Sequence, residues 1–453
     1  MDKRDNIDFS TAPIPELFRK MFLPTLIGMV SMVVLNITDG AFVGHGVGSD
    51  ALAAINIVAP IFMLTGGIGL MFGIGSNVVA SIHLSQGNIK AANINLTQGA
   101  IAGFVIGIVM GLLLYIFQIP VCRVFGCSDL LLPQARSYLK WICLLCPFNM
   151  FGMISMFAVR LDGSPRWAML INCGMAFLNI VLDYILIFPM HMGIEGAAIA
   201  TTVAFTLGNI PVWIYILHYS KSVRFVKIKL SRNSILLTLR NLGYQMKIGM
   251  SGLIGELAIA TMMIVGNHVF IHYLGEDGVA AYSVCCYCTP IVFMMGNAIV
   301  QSVQPIMSFA YGVNNKERLN GALKIALKAS LATGICGLLI LWLGAEVISA
   351  TFLDTDTHAF ELCVEGMPYF SASFMFIAVN LVMIGYFQSI EDAVRSTTFT
   401  LLRGFIFIIP AFILFPILFG VPGLWLAMPV AEGLTTLIIV ASFEYKRRRT
   451  SVG

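Results

Sequence analysis

Four carboxylates stand inside runs that are otherwise apolar: Asp39, Asp183, Glu256 and Glu432. An ionisable group within a membrane helix costs at least about 2.5–3.5 kcal/mol on insertion scales, so it faces a bundle interior and marks an ion or substrate path. Asp39 and Asp183 each lie 17 positions beyond a residue at the inner edge of their segment, Phe22 and Arg166. At a helical rise of about 1.5 Å per residue, both sit about 25 Å from that face, at matching depth, and can share one pocket. Asn179 is one turn from Asp183 on the same face, where its amide can donate to a carboxylate or its carbonyl ligate a cation. Two acids in a dry pocket do not readily ionise together, so either one holds a proton or both surround a cation such as Na⁺. Both arrangements exchange a small cation. The bland alternative for each is a packing carboxylate hydrogen-bonded to a neighbour.

Glu256 lies nine positions past Lys247, about 13 Å deep, and Glu432 is central in the last apolar segment. With no basic residue expected at their depth, they are candidates for holding a cationic substrate. Met263 and Met294, on segments that can line a central cavity, suit varied apolar shapes because the thioether side chain repacks easily.

These placements depend on the elements that carry them. Of the 453 residues, 58% are hydrophobic and 11% charged, against about 45–50% and about 25% in an ordinary soluble domain. Runs long enough to cross a hydrocarbon core of about 30 Å recur along the chain. We read twelve, near 18–43, 52–82, 94–119, 134–158, 166–189, 194–218, 243–272, 278–308, 320–345, 362–387, 396–419 and 421–444. Continuous apolar runs mean helices, because backbone groups in lipid must bond within their own segment. The fold class is therefore an all-α polytopic membrane protein.

Of the 27 Lys and Arg residues, the outer loops hold Arg123, Arg136 and Lys140, and all the rest fall to the other side. The positive-inside rule then places both termini in the cytoplasm of a cell whose plasma (inner) membrane the chain spans. The net charge of +4 is a topology signal and gives no support to a nucleic-acid partner. No cleaved signal peptide is expected, because the first segment lacks a small-residue cleavage site. The ten cysteines read mainly as small buried hydrophobes, with no metal cluster. Cys122 and Cys127, on the outer side, are near enough in sequence to pair or to stay free.

The chain repeats itself. FPMHMGIEGAAIA at 188–200 aligns with FPILFGVPGLWLA at 415–427, and VGSDALAAI at 47–55 with LGEDGVAAY at 274–282, both at an offset of 227. Gly87 lies close to Gly312 at a nearby offset. The expected organisation is a six-helix lobe at 1–218, a basic cytoplasmic linker at 219–242, and a second six-helix lobe with a basic tail at 243–453. Six spans per half make the halves parallel repeats, related by a pseudo-two-fold axis along the membrane normal. That layout suits alternating access.

The chain resembles the multidrug and toxic compound extrusion (MATE) family over its length. The resemblance rests on LPTL at 23–26, TDGAFVG at 38–44 with ALAA at 51–54, GNIKAA at 87–92, NIVLDYILIF at 179–188, GIEGAAIAT at 193–201 and YGVNNKERL at 311–319. It implies a non-enzymatic efflux antiporter, exporting bulky organic cations against inward H⁺ or Na⁺ flow, without a cofactor and as a monomer in the bilayer. It also implies a cation-coupling site at Asp39, Asn179, Asp183 and Thr201, and bending of the first helix at Pro24. Glu256 matches a glutamate tied to cation coupling in the family. The family's usual acid of the tenth helix is missing, with Asn380 the polar group at that depth. Two rivals are a lipid-linked precursor flippase of the same superfold, which should carry basic residues at membrane depth, and an intramembrane enzyme, for which Asp39 and Asp183 lack further catalytic groups.

Overall fold

The computed structural model describes residues 7–125, 127–229 and 231–451, and among them every regular element is helical. Fifteen helices follow in order: α1 Ile14–Gly46, α2 Ser49–Ser85, α3 Ile89–Ile116, α4 Gln118–Val124, α5 Leu132–Leu161, α6 Pro165–Ile187, α7 Gly193–Ile214, α8 Arg232–Gly312, α9 Lys316–Leu343, α10 Ala345–Phe352, α11 His358–Ser371, α12 Ser373–Ser389, α13 Ala393–Leu401, α14 Ile408–Phe419 and α15 Val421–Ser451. Wider π-type turns continue α7 over Tyr215–Tyr219 and join α13 to α14 over Leu402–Ile406.

Among the described residues, eleven helical stretches are long and apolar enough to span a membrane. One of them, α8, has 81 residues and breaks at Gly275, whose φ of 66° and ψ of −155° are not helical. At about 1.5 Å per residue its two arms are each long enough to cross about 30 Å, so α8 supplies two passes and the twelve expected spans are all present.

The duplication extends to the backbone. Glycines with positive φ recur at the offset of 227 at Gly48 and Gly275 (φ 123° and 66°) and at Gly193 and Gly420 (59° and 64°). Gly87 (76°) pairs at that offset with Asn314 (55°), two positions further than the Gly312 suggested by the sequence. Asparagine tolerates this left-handed conformation better than most residues, which explains why the glycine is not repeated.

Two compact units make up the chain, Met1–Leu253 with Pro305–Leu319, and Ile254–Gln304 with Asn320–Gly453. In the first, α1 packs along α6, and α5 lies among α2, α3 and α7. The extended stretch after α7 is pinned there by its own backbone donors. The Asp162 carboxylate accepts from the backbone N–H groups of Lys221, Ser222 and Val223. The Asn93 and Thr97 side-chain oxygens accept from Arg224 and Val226. Helix α8 then starts at Arg232, capped by the Ser231 hydroxyl. The second unit has an aromatic core in which Phe270 stacks on Tyr282 with ring centres 4.4 Å apart and meets Trp425 edge-on at 4.8 Å.

The φ of 64° and ψ of −143° at Gly420 belong to a region that side chains strongly disfavour. Replacing Gly420 with Val should destabilise the protein by about 1–3 kcal/mol in denaturant unfolding in detergent. Gly174, in a helix with open space around its α-carbon, is the control, and Gly174→Ala should leave stability unchanged or slightly raised.

Candidate functional site

The first unit brings its two acids to one level. Gly28 of α1 lies against Asn172 of α6, and Gly46 against Ile187, so the two helices run parallel. Asp39 and Asp183 are each eleven positions beyond that first contact. Their charges are close enough to act on one another, and the buried Tyr138 of α5 lies in the field of both. Asp183 and Asn179 are fully buried. Asn179 donates to the Thr201 hydroxyl on α7 at 3.4 Å, a long hydrogen bond. Neither Asp183 oxygen, nor Asn179 Oδ1, nor Asp39 Oδ1 receives a hydrogen bond from a described residue. Asp39 itself is half-buried. The four residues expected to form a cation-coupling site thus gather on α1, α6 and α7, with several acceptor oxygens directed at no donor. Acceptors of that kind, carboxylate, amide and hydroxyl, suit a proton or a hard cation.

The second unit arranges its acid differently. Glu432 on α15 is 4% exposed, and Arg403, in the π-type turn between α13 and α14, is 6% exposed. Arg403 donates to Glu432 Oε1 from Nε at 3.0 Å and from Nη2 at 2.7 Å. Asn380 on α12 donates to Glu432 Oε2 at 2.7 Å, and its own carbonyl accepts from the Thr436 hydroxyl at 2.8 Å. The guanidinium carbon lies 4.9 Å from the centre of the Phe293 ring, a cation–π contact that adds to the pair. A side-chain carbon on Gly404 would collide with Ala258. The bare glycine lets the turn approach α8 and carries Arg403 inward.

Arg403 corrects the expectation that no basic residue reaches the depth of Glu432. It is ten positions past the start of α13, about 15 Å along the helix and so near the middle of the membrane. Glu432 is therefore a compensated charge and not a free holder of a cationic substrate. A small cavity adjoins the pair, lined by Met262, Phe293, Arg403, Met428 and Glu432 among others. Met262 and Met428 face this cavity, which lies within the second unit, while Met263 is 37% exposed. Likewise Phe293, and not Met294, is on its wall. Glu256 is half-buried and does not line this cavity, although its neighbour Gly255 does. Pro24 is buried inside a continuous α1, with the Thr25 hydroxyl bonded back to the Met21 carbonyl at 2.8 Å. The thiols of Cys122 and Cys127 are free.

Comparison with known proteins identifies the family. The MatE family model matches residues 24–185 and again 253–413, one match in each sequence repeat. The chain belongs to the MatE family. The multidrug export protein MepA of Staphylococcus aureus (strain N315) is 24% identical over 98% of this chain and 96% of its own length. A MOP superfamily transporter from Pyrococcus furiosus, described as having a binding pocket of reverse polarity, is 18% identical and superposes with a TM-score of 0.89 over 100% of this chain and 98% of that one. A MATE transporter from Vibrio cholerae is 20% identical, with a TM-score of 0.88 over 96% and 97% of the two chains. The resemblance drawn from the sequence motifs is thereby borne out, and the protein is a multi-pass member of this transporter family.

Removing one partner of a buried ion pair leaves the other charge uncompensated. For this MatE protein, Arg403→Gln should cost about 3–5 kcal/mol of stability, whereas Arg403→Gln combined with Glu432→Gln should recover most of that loss. Denaturant unfolding of both variants in detergent measures the difference.

Proposed function

We propose that this protein is a secondary multidrug exporter that carries amphipathic organic cations out of the cell in antiport with H⁺ or Na⁺. The observation that carries the reading is the uncompensated acid pair of the first unit. A carboxylate held from water beside a second one requires a positive partner, and among the described residues none donates to Asp183. A proton or Na⁺ entering from outside satisfies it, and its loss to the inside frees the site for another turnover.

Asp183 and Asp39 serve as the exchanging acids, Asn179 and Thr201 as neutral oxygen ligands or hydrogen-bond partners, and Pro24 as the position where α1 can bend around Asp39. Alternating access of the two six-helix halves, 1–218 and 243–453 joined by 219–242, then exposes the acids to each side in turn. Both termini are in the cytoplasm under this reading, and the protein works as a monomer in the inner membrane. The name of the MepA relative, a multidrug export protein, supports efflux as the direction of transport.

The flippase alternative gains one point, since Arg403 supplies the basic residue at depth that it requires. Its charge is nevertheless matched by Glu432, so the cavity offers no net positive field to a polyphosphate headgroup. An enzyme reading finds no further support.

The test uses purified protein in liposomes loaded with a fluorescent organic cation, under an imposed H⁺ or Na⁺ gradient. Export should follow one of the two gradients, and Asp183→Asn should reduce it at least about tenfold, the loss expected when a charge-exchanging group is removed. Gradient-driven export that survives Asp183→Asn would falsify the coupling role.

A further inference from the structure

Residues 7–13 lead into α1 and are fastened to parts of the chain that lie far away in sequence. Ile7 lies against Gly163, in the turn between α5 and α6. Phe9 is 9% exposed, and its ring centre is 6.1 Å from that of Phe309 near the end of α8. Arg318, in the first turn of α9, donates from Nε to the Phe9 carbonyl at 2.9 Å and from Nη2 to the Ala12 carbonyl at 2.7 Å. The segment is also tied to itself, since the Asp8 carboxylate accepts from the Ser10 N–H and from the Ser10 and Thr11 hydroxyls. We propose that residues 7–13 are a strap that latches the end of α8 and the start of α9 onto the first half of the chain, and that its release opens the face assigned to the cytoplasm.

The strap joins both sequence repeats. Gly163 belongs to the first, whereas Phe309 and Arg318 belong to the second, and 305–319 nevertheless packs as part of the first compact unit. Direct contacts of that stretch with α2 include a hydrogen bond from Ser81 Oγ to the Pro305 carbonyl at 3.1 Å and one from Gln86 Nε2 to the Gly312 carbonyl at 3.3 Å. To these the strap adds a buried ring and a charged donor shared between two acceptors. The guanidinium fork is suited to spanning two carbonyls at once. Its partners are neutral, unlike the carboxylate that fixes Arg403, so they can be exchanged for water without stranding a buried charge. Arg318 is only half-buried, and water can reach these bonds. Such a latch holds and can let go. As a control on transport the proposal rests on the exporter reading and its orientation; as a statement of what holds 305–319 in place it stands apart from that reading.

Alkylation of the full-length protein in detergent by a small polar maleimide tests it, with Ser81→Cys as the reporter because Ser81 is fully buried against Pro305. Labelling is followed site by site by peptide mass spectrometry. Native Cys285, fully buried in the core of the second unit, reports any general loosening. In the Ser81→Cys background, Arg318→Gln and Phe9→Ala should each speed labelling at position 81 at least about fivefold, through loss of bonds from a charged donor or of a buried ring. Labelling at Cys285 should keep its rate. Glu317→Gln, at the exposed neighbour of Arg318, should change neither rate. A rate at position 81 that stays flat in one or both strap variants, that rises equally in Glu317→Gln, or that rises in step with Cys285 overturns the proposal. No substrate or gradient is present, so these outcomes bear on the latch alone, and a failure of cation export in liposomes leaves them standing.

Discussion

The cost of holding a negative charge out of water governs both units of this protein, and each answers it in its own way. In the second unit Glu432 has a guanidinium, an amide and a supporting hydroxyl around it, all provided by the fold. In the first unit Asp183 is fully buried and no described residue donates to either oxygen. A buried carboxylate without a partner is costly enough that it persists in a working protein only where a mobile positive species completes it. Ion exchange is therefore proposed for the first unit.

The duplication makes the contrast sharper. Positive-φ positions repeat at the same offset in both halves, so the two share a backbone plan down to single turn residues. The buried carboxylates do not repeat. At the offset of 227 Asp183 corresponds to Pro410 and Glu432 to Phe205, so each half placed its buried charge at a position that is apolar or helix-breaking in the other. A common scaffold holds helices in register, and function follows from where one or two charges interrupt it.

Much of this was legible from the chain alone, because hydrocarbon thickness fixes helix length and the apolar runs declare themselves. Segment 166–189 was found as Pro165–Ile187, and 134–158 as Leu132–Leu161. The equal depth of Asp39 and Asp183 followed from helix rise and reappears in the contacts between α1 and α6. Other features were hidden for definite reasons. Arg403 counts in the sequence among the basic residues assigned to the inner side, and its partner is 29 positions away. Only the π-type turn and the close approach at Gly404 bring it inward. That Met262 lines the second unit's small cavity and Met263 does not follows from helix phase, about 100° per residue, which composition does not reveal. Tyr138, in the field of both acids, sits in a stretch with basic neighbours that suggested an outer rim and nothing deeper.

The central claim is that the unpaired acids of the first unit, and not the paired acid of the second, change their bonding when a positive passenger arrives. Infrared difference spectra of the purified protein, recorded as H⁺, Na⁺ or a lipophilic cation is added, read carboxyl and carboxylate bands directly. The account predicts a carboxyl difference signal that vanishes in Asp183→Asn and persists in Glu432→Gln. A signal that survives loss of Asp183 and disappears with Glu432 would contradict it.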